Sequence, residues 1–506
     1  MRTSTLLVRA DASVKTGTGH VMRCVALAQA WQDAGGRAVF AMAGSTPGLE
    51  ERLCEESCEV CYVQAQAGNR EDIEQTVAEA RHRNADWVVV DGYQFEADFH
   101  DGLKRAGLKV LCVDDYGHAS RYSADIILNQ NPSASAALYP EIQPSTKLLL
   151  GPRYALLRHE FTRFRAEPRH FAPACRRLVI LMGGSDPENV TVRAIEAVAL
   201  ARIDGLQATV LVGAANPHFE ALRRAVGPQS GIKVIRDARN IPELMAEADL
   251  ALSAAGSTCW ELSFFGVPSL LVDVAENQKA VAKQLDRFGC AIHVGDQTVS
   301  AEELAKQLRR LCEDRELRSV LSERSRELVD GKGASRVASS MLATNGLRLR
   351  SVAAEDCRLL WEWANDPEVR ASSFSASPIP WEDHVRWFQQ KLADSGSRIF
   401  VAENESGDPI GQIRFDQRQD EDWEVDVSIA REMRGQGLAG ELIWGAVERM
   451  QRELPKATIH AFVKPSNAAS IKAFERAAFR RLGMEAAIAE SAVHLVCEPV
   501  SSRGRN

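Results

Sequence analysis

The stretch LLVRADASVKTGTGHVMRCVALAQAWQDAG (residues 6–35) joins a short apolar segment to a glycine-rich turn and then to a helical pattern. LLVRAD (6–11) is largely apolar and ends in a polar residue, which is typical of a parallel strand buried on both faces. HVMRCVALAQAWQDAG (20–35) has apolar residues at helical spacing and ends in glycine, a stop signal. A strand, a tight turn and a helix in this order predict a parallel α/β unit.

The same pattern recurs along the first two thirds of the chain, in two successive series of strands. We therefore predict two Rossmann-like α/β domains, residues 1–150 and 151–343, whose strand ends face a shared cleft where ligands bind. The predicted strands are RAVFAMA (37–43), DWVVVDGY (86–93), KVLCVDDY (109–116) and ADIILNQN (124–131), then RRLVILMGGSDP (176–187), ATVLVGAANP (208–217), IKVIRDA (232–238), ADLALSAAGS (248–257) and PSLLVDVAENQ (268–278).

A third domain is predicted at residues 347–500 because the composition and the strand pattern both change there. RIFVAENESGDPIGQIRFD (398–416) predicts a β-hairpin, since antiparallel strands need only a short turn. This part of the chain holds six of the nine tryptophans, namely Trp361, Trp363, Trp381, Trp387, Trp423 and Trp444.

Composition excludes several classes of protein. The net charge is −8, without the basic footprint of a nucleic-acid or anionic-membrane protein. No uncharged run approaches the roughly 20 residues of a membrane span, and no signal-peptide pattern opens the chain. The 11 cysteines are scattered and odd in number, which favours reduced thiols in a cytoplasm. Cys58 and Cys61 form a C-x-x-C without a second ligand pair, so no metal site is predicted.

The turn GTGH (17–20) is the first candidate site. Gly17 and Gly19 let the backbone approach a ligand, and free N–H groups at a helix start favour an anion. His20 lies in the first helical turn, where the helix dipole favours the neutral imidazole, a competent general base. A histidine that only caps or packs the helix is the alternative. The turn is neither a Walker A loop nor a full dinucleotide fingerprint.

A second helix start offers a firmer site for a diphosphate. In SAAGSTCWELSFFGVPSLL (253–271), Gly256, Ser257 and Thr258 follow a predicted strand and open a helix. Glu261, one turn later, can accept from a ribose hydroxyl or simply stabilise the helix start. Two further candidates for the cleft follow the next strand, Asn277 and Gln278.

These motifs carry a resemblance. GTGH together with SAAGSTCWELSFFGVPSLLV…ENQ looks like the GT-B fold of nucleotide-sugar enzymes, close to the MurG glycosyltransferases. RADASVKTGTGHVMRCVALA, VVVDGYQF, VDDYGH, DIILNQN, GPRYALLRHEF and MGGSDPENVT together resemble the UDP-sugar hydrolases of pseudaminic acid biosynthesis, over residues 4–340. That family removes UDP from UDP-2,4-diacetamido-2,4,6-trideoxy-β-L-altropyranose with water as the acceptor.

The resemblance implies roles for the candidate residues. His20 would activate water for attack on the anomeric carbon with inversion, and Tyr93 and Asn277 would lie near the sugar. Fixed N–H dipoles would hold the departing UDP without a metal. A tyrosine that anchors a loop is the alternative for Tyr93. The remaining implied positions are Gly256, Ser257 and Thr258 at the diphosphate, Glu261 at the ribose, and Asp11 or Asp91 as partners of His20 or of the sugar.

A glycine loop in the third domain resembles the pyrophosphate loop of GNAT-type N-acetyltransferases, which bind acetyl-CoA. The loop lies in VDVSIAREMRGQGLAGELIWGAVERM (425–450), between a predicted strand and an amphipathic helix. The resemblance covers residues 347–498 and implies that Asn467, in VKPSNAASIKAFERAAF (463–479), contacts the cofactor. The implied loop residues are Arg434, Gly435, Gln436, Gly437, Leu438 and Ala439.

The third domain departs from the family at one position. Many members use a tyrosine to protonate the leaving thiolate, and Phe474 stands at the corresponding place. Glu424 is the candidate base; it shares a strand face with Asp426, and a solvated face is the alternative. His384 either contacts a nucleotide-sugar or packs between tryptophans.

LLWEWANDPEVR (359–370) and HVRWF (384–388) resemble the acetyltransferase of the same pathway. It acts on the 4-amino group of UDP-4-amino-4,6-dideoxy-N-acetyl-β-L-altrosamine. The sequence therefore predicts a bifunctional cytoplasmic enzyme that takes a UDP-linked amino sugar and acetyl-CoA. The alternative is a GT-B glycosyltransferase with a UDP-sugar donor, joined to a CoA-binding sensor domain.

Overall fold

A computed structural model of the 506-residue chain describes residues 4–13, 17–44, 47–164, 169–184, 186–213, 216–226, 231–343, 347–404, 407–419, 421–435, 437–487 and 490–499. The chain forms two compact units, Met1–Val337 and Ala338–Asn506. The predicted domain boundaries at 150/151 and 343/347 stay predictions.

The first sheet of the larger unit has seven parallel strands in the order β3-β2-β1-β4-β5-β6-β7. Its central strands are fully buried because helices cover both faces. The elements are β1 (Thr5–Ala10), α1 (Gly19–Asp33), β2 (Arg37–Met42), α2 (Pro47–Glu55), β3 (Glu59–Tyr62), α3 (Arg70–His82), β4 (Trp87–Asp91), α4 (Ala97–Arg105), β5 (Val110–Val113), β6 (Ile126–Asn129) and β7 (Lys147–Leu150).

The second sheet has six parallel strands in the order β10-β9-β8-β11-β12-β13. The elements are α5 (His159–Thr162), β8 (Arg177–Leu181), α6 (Val190–Ala201), β9 (Gln207–Val212), α7 (Phe219–Ala225), β10 (Ile232–Arg236), α8 (Ile241–Glu247), β11 (Leu250–Ala254), α9 (Thr258–Phe265), β12 (Ser269–Asp273), α10 (Lys279–Arg287), β13 (Ile292–Asp296), α11 (Ala301–Glu313), α12 (Arg315–Leu328) and α13 (Gly333–Ala343).

Three of these strands were not predicted: β3, β7 and β13. All three lie at sheet edges. Edge strands have one strand neighbour and are only partly covered, so β3 and β13 carry no buried residue and lack a long apolar run. β7 is apolar but only four residues long.

Both parallel sheets reverse their strand order beside the first strand, between β1 and β4 and between β8 and β11. Ligands bind at such switch points because the loops on either side part there. The glycine turns at these two points face each other, since a Cβ added at Gly184 would lie 3.9 Å from Thr18 Oγ1. The cleft between the two Rossmann-like domains thus brings both glycine turns together.

The smaller unit holds a seven-stranded sheet in the order β14-β15-β16-β17-β18-β20-β19. Every neighbouring pair is antiparallel except β17 and β18, and the predicted hairpin forms β15 and β16. The elements are β14 (Arg348–Ser351), α14 (Cys357–Ala364), α15 (Pro367–Ser372), α16 (Trp381–Ala393), β15 (Ser397–Glu403), β16 (Pro409–Gln419), β17 (Asp422–Ile429), α17 (Leu438–Glu453), β18 (Thr458–Val463), α18 (Ala468–Arg476), β19 (Arg480–Ala487) and β20 (Glu490–Cys497).

The predicted fold class is confirmed: two Rossmann-like domains in a GT-B arrangement, followed by an α/β domain with a mostly antiparallel sheet. Within the described ranges, no helix has both the length and the apolar character needed to cross a bilayer.

Candidate functional site

His20 and Asp91 meet at the switch point between β1 and β4. His20 is the second residue of α1, and its Nδ1 lies 2.7 Å from Oδ1 of Asp91, the buried last residue of β4. Burial opposes the charged form of Asp91, but the Arg23 guanidinium outweighs it and holds the pKa of Asp91 well below its usual range. A charged Asp91 accepts the Nδ1–H hydrogen of His20, so Nε2 is the ring nitrogen that can take up a proton.

Arg23 clamps two carboxylates behind His20. Its Nε and Nη2 donate to Asp91 at 2.6 and 2.7 Å, and its Nη1 donates to both oxygens of Asp115 at 2.8 and 3.0 Å. The two carboxylates and one guanidinium leave one net negative charge beside the imidazole.

Tyr93 links this network to the second Rossmann-like domain. Its hydroxyl donates to Asp115 at 2.6 Å and accepts from Nδ2 of Asn277 at 2.7 Å, and its ring lies edge-on to His20 with centroids 5.0 Å apart. Burial and the Asp115 charge raise the pKa of Tyr93, so the phenol stays protonated. The predicted residues His20, Tyr93 and Asn277 therefore lie together in one cleft.

Asp11 lies at the same switch point but has other partners. Its Oδ1 accepts from Nη1 of the buried Arg9 at 2.7 Å and from the backbone of Ala43 at 2.8 Å. Its Oδ2 accepts from Gln94 at 3.2 Å. Of the two predicted aspartates, Asp91 hydrogen-bonds to His20. Asp11 instead hydrogen-bonds to the three groups named above.

The glycine turn before α1 has the backbone geometry that glycine allows. Gly17 has φ +71°, which other residues rarely adopt, and its N–H donates to Ser13 O at 2.8 Å. Gly19 is the first residue of α1, and the Thr18 side chain does not cap the helix. The start of α1 is therefore accessible to a ligand beside His20.

The start of α9 is the candidate diphosphate site. Thr258 is its first residue, Ser257 is the N-cap, and the Ser257 side chain makes no capping hydrogen bond. A Cβ added at Gly256 would lie 3.5 Å from Nε2 of Gln278, whose Oε1 accepts from Val274 N at 3.1 Å. The predicted pair Gly256 and Gln278 thus flank one helix start.

Glu261, one turn into α9, is held by an arginine that the sequence did not single out. Oε1 of Glu261 accepts from Nη2 of Arg158 at 3.1 Å. Burial raises the pKa of Glu261 to about 6, although the Arg158 charge opposes the rise. Arg158 also pairs with Glu160 at 3.1 Å, and Glu160 pairs with Arg52 of α2 at 2.5 Å. These ion pairs connect the candidate ribose site to the first domain.

The glycine loop of the smaller unit precedes α17. Gly435 and Gly437 have φ +76° and +82°, and Gly437 is the N-cap of α17. A Cβ at Gly437 would have no atom within 4 Å, so the loop borders open space. Leu438 and Ala439 pack against the core, and Gln436 lies outside the described residues.

Arg434 anchors this loop to α15. Its Nη1 lies 2.8 Å from both Asp366 Oδ1 and Glu368 Oε2, and its Nε donates to Ile429 O at 3.1 Å. Asp366 also caps α15 by accepting from the backbone of Glu368 at 3.0 Å. These contacts fix the position of Arg434 and therefore the start of the glycine loop, since Gly435 follows directly.

β17 and β18 form a fork that opens towards the glycine loop. Their parallel register covers Asp422–Glu424 and Thr458–His460, although the strands continue to Ile429 and Val463. Backbone groups inside a sheet seldom go unpaired, so the fork fits an extended ligand that carries amides. Glu424 lies at the last paired position of β17.

Three other candidate side chains of the smaller unit contact neighbouring protein groups. Oδ1 of Asn467 caps α18 by accepting from Ser470 N at 3.1 Å. Phe474 is buried against Phe479. The exposed Glu424 lies 3.8 Å from Nε of Arg418.

His384 is buried, and its Nε2 forms a hydrogen bond with Cys357 O at 3.0 Å. Its ring lies 6.3 Å from that of Trp381 and 5.2 Å from that of Trp387. These contacts favour the packing alternative for His384. In the ranges that the structure describes, no group of three or more His, Cys, Asp or Glu side chains could hold a metal ion.

Sequence reasoning missed Arg23, Asp115 and Arg158. Two of them had a signal. Arg23 lies three residues after His20, hence on the same face of α1. Asp115 follows β5 almost directly, at the edge where parallel strands place functional side chains. Arg158 lies in the segment of the chain between β7 and β8, away from the end of any strand, and had no such signal.

Two families match this chain. Residues 178–338 match the glycosyltransferase family 28 C-terminal domain. Residues 346–480 match the acetyltransferase (GNAT) domain. The chain thus joins a domain like that of family 28 glycosyltransferases to a domain like that of GNAT acetyltransferases.

Three curated relatives match this chain over nearly the whole of their own length. An uncharacterized protein of Methanocaldococcus jannaschii is 21% identical over 491 residues, 93% of this chain and 96% of that protein. The spore coat polysaccharide biosynthesis protein SpsG of Bacillus subtilis is 28% identical, covering 65% of this chain and 95% of SpsG. The UDP-2,4-diacetamido-2,4,6-trideoxy-beta-L-altropyranose hydrolase of Campylobacter jejuni is 25% identical, covering 56% of this chain and 97% of the hydrolase. This chain therefore combines a part that is similar to sugar biosynthesis proteins with a part that matches the GNAT acetyltransferase domain.

Proposed function

We propose that this chain is a bifunctional cytoplasmic enzyme of pseudaminic acid biosynthesis. The larger unit hydrolyses UDP-2,4-diacetamido-2,4,6-trideoxy-β-L-altropyranose to UDP and the free sugar. The GNAT domain transfers an acetyl group from acetyl-CoA to the 4-amino group of the UDP-sugar precursor. The observation that carries the proposal is the His20–Asp91 pair in the cleft, with Asn277 reaching Tyr93 from the second domain.

Hydrolysis starts when Nε2 of His20 takes a proton from water. The water oxygen then forms a bond to the anomeric carbon while the bond from that carbon to the UDP oxygen breaks. UDP leaves with the electron pair, and the sugar is inverted at that carbon. Asp91 and the net negative charge around Arg23 stabilise the imidazolium, and Tyr93 and Asn277 orient the sugar.

The UDP subsite lies at α9. Backbone N–H groups of Gly256, Ser257 and Thr258 stabilise the charge that develops on the departing diphosphate. The Glu261 carboxylate accepts from the ribose hydroxyls, and Gln278 borders the diphosphate.

Acetyl transfer takes place at the fork between β17 and β18. The pyrophosphate of acetyl-CoA binds at Gly435 and Gly437, and the amide-bearing arm extends along the edge of β17 that does not pair with β18. Glu424 accepts a proton from the amine, which attacks the thioester carbonyl. The C–S bond breaks, and solvent protonates the thiolate because Phe474 cannot. Asn467 contacts the cofactor at the start of α18.

A second candidate function is supported by the family 28 match and by Phe474. It is a glycosyltransferase with a UDP-sugar donor, joined to a CoA-binding sensor. The two functions differ in what water alone can do: a hydrolase releases UDP in buffer, whereas a glycosyltransferase needs an acceptor.

Mass spectrometry of the products tests the proposal. The purified chain is incubated with the UDP-diacetamido sugar, and separately with acetyl-CoA and the 4-amino UDP-sugar. We expect free sugar with UDP in the first reaction, and a product heavier by one acetyl group with free CoA in the second. Release of UDP only after an acceptor is added contradicts the hydrolase, and no free CoA contradicts the acetyltransferase.

Affinity for a UDP-sugar should depend on the ionisation of Glu261. Because its pKa is raised to about 6, lowering the pH through this value protonates the carboxyl, which then accepts ribose hydrogen bonds less well. In the His20→Ala protein, whose turnover is strongly slowed, calorimetry should show affinity falling by about tenfold from about pH 8 to about pH 5. A UDP-sugar is the probe because its diphosphate, unlike that of UDP, has no group that titrates near pH 6.

In the same background, Glu261→Gln should bind weakly at every pH and lose this dependence. Glu160→Gln is the matched control because Glu160 contacts the same Arg158 but lies outside α9. It should keep the pH dependence. A Glu261→Gln protein with unchanged affinity and pH profile would contradict a ribose contact.

A further inference from the structure

The loop after β5 is built around a buried carboxylate, Asp114. It accepts from Gly117 N and from Nδ1 of His118, both at 2.6 Å. It also accepts from the hydroxyls of Tyr122 and Tyr139, both at 2.8 Å. Burial opposes its charge, but these hydrogen bonds, that of His118 foremost, hold the pKa of Asp114 well below its usual range. A charged acceptor with four donors makes a rigid loop.

Neighbouring positions of the loop are also fixed. Asp115 accepts a hydrogen bond from Arg23, and Nε2 of His118 donates a hydrogen bond to Phe95 O at 3.2 Å. Gly117 has φ +74°, and a Cβ there would lie 2.8 Å from Leu138 O. The loop therefore has a single tight conformation, which only glycine permits at position 117.

Tyr116 is a large side chain that this rigid loop exposes to solvent. It is 46% exposed, whereas Asp114 and Asp115 are buried. Its ring centroid lies 5.2 Å from that of Tyr93 and 6.1 Å from that of His118. Since Tyr93 contacts both His20 and Asn277, the Tyr116 ring borders the place where the two domains meet over the candidate base.

We propose that Tyr116 is a specificity-determining residue that packs its ring against the apolar part of the UDP-linked sugar. This inference rests on the proposed hydrolase function and deepens it. A 6-deoxy, diacetamido sugar carries methyl groups that a ring can cover, and a ring already fixed by its neighbours loses little conformational entropy on binding. Tyr116 therefore favours this sugar over one with a hydroxymethyl group at the same place.

Binding to the His20→Ala protein, in which turnover is strongly slowed, tests the role of Tyr116. Calorimetry compares UDP with UDP-2,4-diacetamido-2,4,6-trideoxy-β-L-altropyranose. Tyr116→Ala should weaken binding of the UDP-sugar by about tenfold and leave binding of UDP unchanged. Tyr116→Phe, which keeps the ring, should bind both ligands as before. Tyr62→Ala is the matched control, since Tyr62 is 50% exposed in the same domain.

Kinetics provides the second readout. In the protein with His20 intact, Tyr116→Ala should raise KM more than it lowers kcat. It should also reduce the preference for the diacetamido sugar over UDP-N-acetylglucosamine by about tenfold. Unchanged affinity for the UDP-sugar in Tyr116→Ala contradicts the role of Tyr116 alone. Failure of the protein with Tyr116 intact to release UDP contradicts the proposed hydrolase function.

Discussion

Replacing His20 by alanine should lower the rate of UDP release by about 10²- to 10⁴-fold, the usual contribution of a general base. The variant removes the nitrogen that accepts the proton of water. The fold should persist because Asp91 keeps both hydrogen bonds from Arg23, at 2.6 and 2.7 Å, and is not left as an unpaired buried charge. Release of UDP is measured by coupled assay or by mass spectrometry.

The matched control is His159→Ala. His159 also pairs with an aspartate, Asp33, at 2.8 Å, but Asp33 is the last residue of α1, whereas His20 lies at the start of that helix. This control should keep full UDP release, and both variants should transfer acetyl groups at the rate of the unmodified chain. If His20→Ala released UDP at the normal rate, His20 would not be the base and the proposed hydrolysis would fail.

Replacing Gly437 by tryptophan should weaken acetyl-CoA binding by about 100-fold, as expected when about two charge-assisted hydrogen bonds are lost. The indole would fill the open space at the start of α17, where the pyrophosphate is proposed to bind. Binding is measured by calorimetry, and free CoA reports turnover. UDP release should not change because Gly437 lies in the other compact unit.

Gly407→Trp is the matched control for backbone strain. Gly407 has φ +84° against +82° at Gly437, and a Cβ would have no atom within 4 Å at either position. Both variants therefore carry a similar cost of about 1–2 kcal/mol in unfolding free energy for a left-handed residue with a side chain. Gly407→Trp should bind acetyl-CoA normally. Equal loss of binding in both variants would indicate unfolding and not a blocked loop.

The sequence predicted most of the fold and the positions of the candidate residues. Alternating buried strands, glycine turns and helices predict parallel sheets, and the last residues of parallel strands must lie at one edge. His20 was found from the glycine turn before its helix, whereas the roles of Asp91 and Tyr93 came from the resemblance to UDP-sugar hydrolases. The edge strands β3 and β13 were missed because they lack the run of buried residues that marks a central strand. The roles of the site residues stay predictions.

The sequence by itself determined which residues follow each strand, because the period of apolar residues reports burial along the chain. Only the tertiary structure decided that Asp91 and not Asp11 contacts His20, and that Arg23 ties Asp91 to Asp115. Only the tertiary structure brought Asn277 to Tyr93, 184 residues away. Such contacts depend on strand order and on the packing of one domain against the next. Local periodicity carries no information about either.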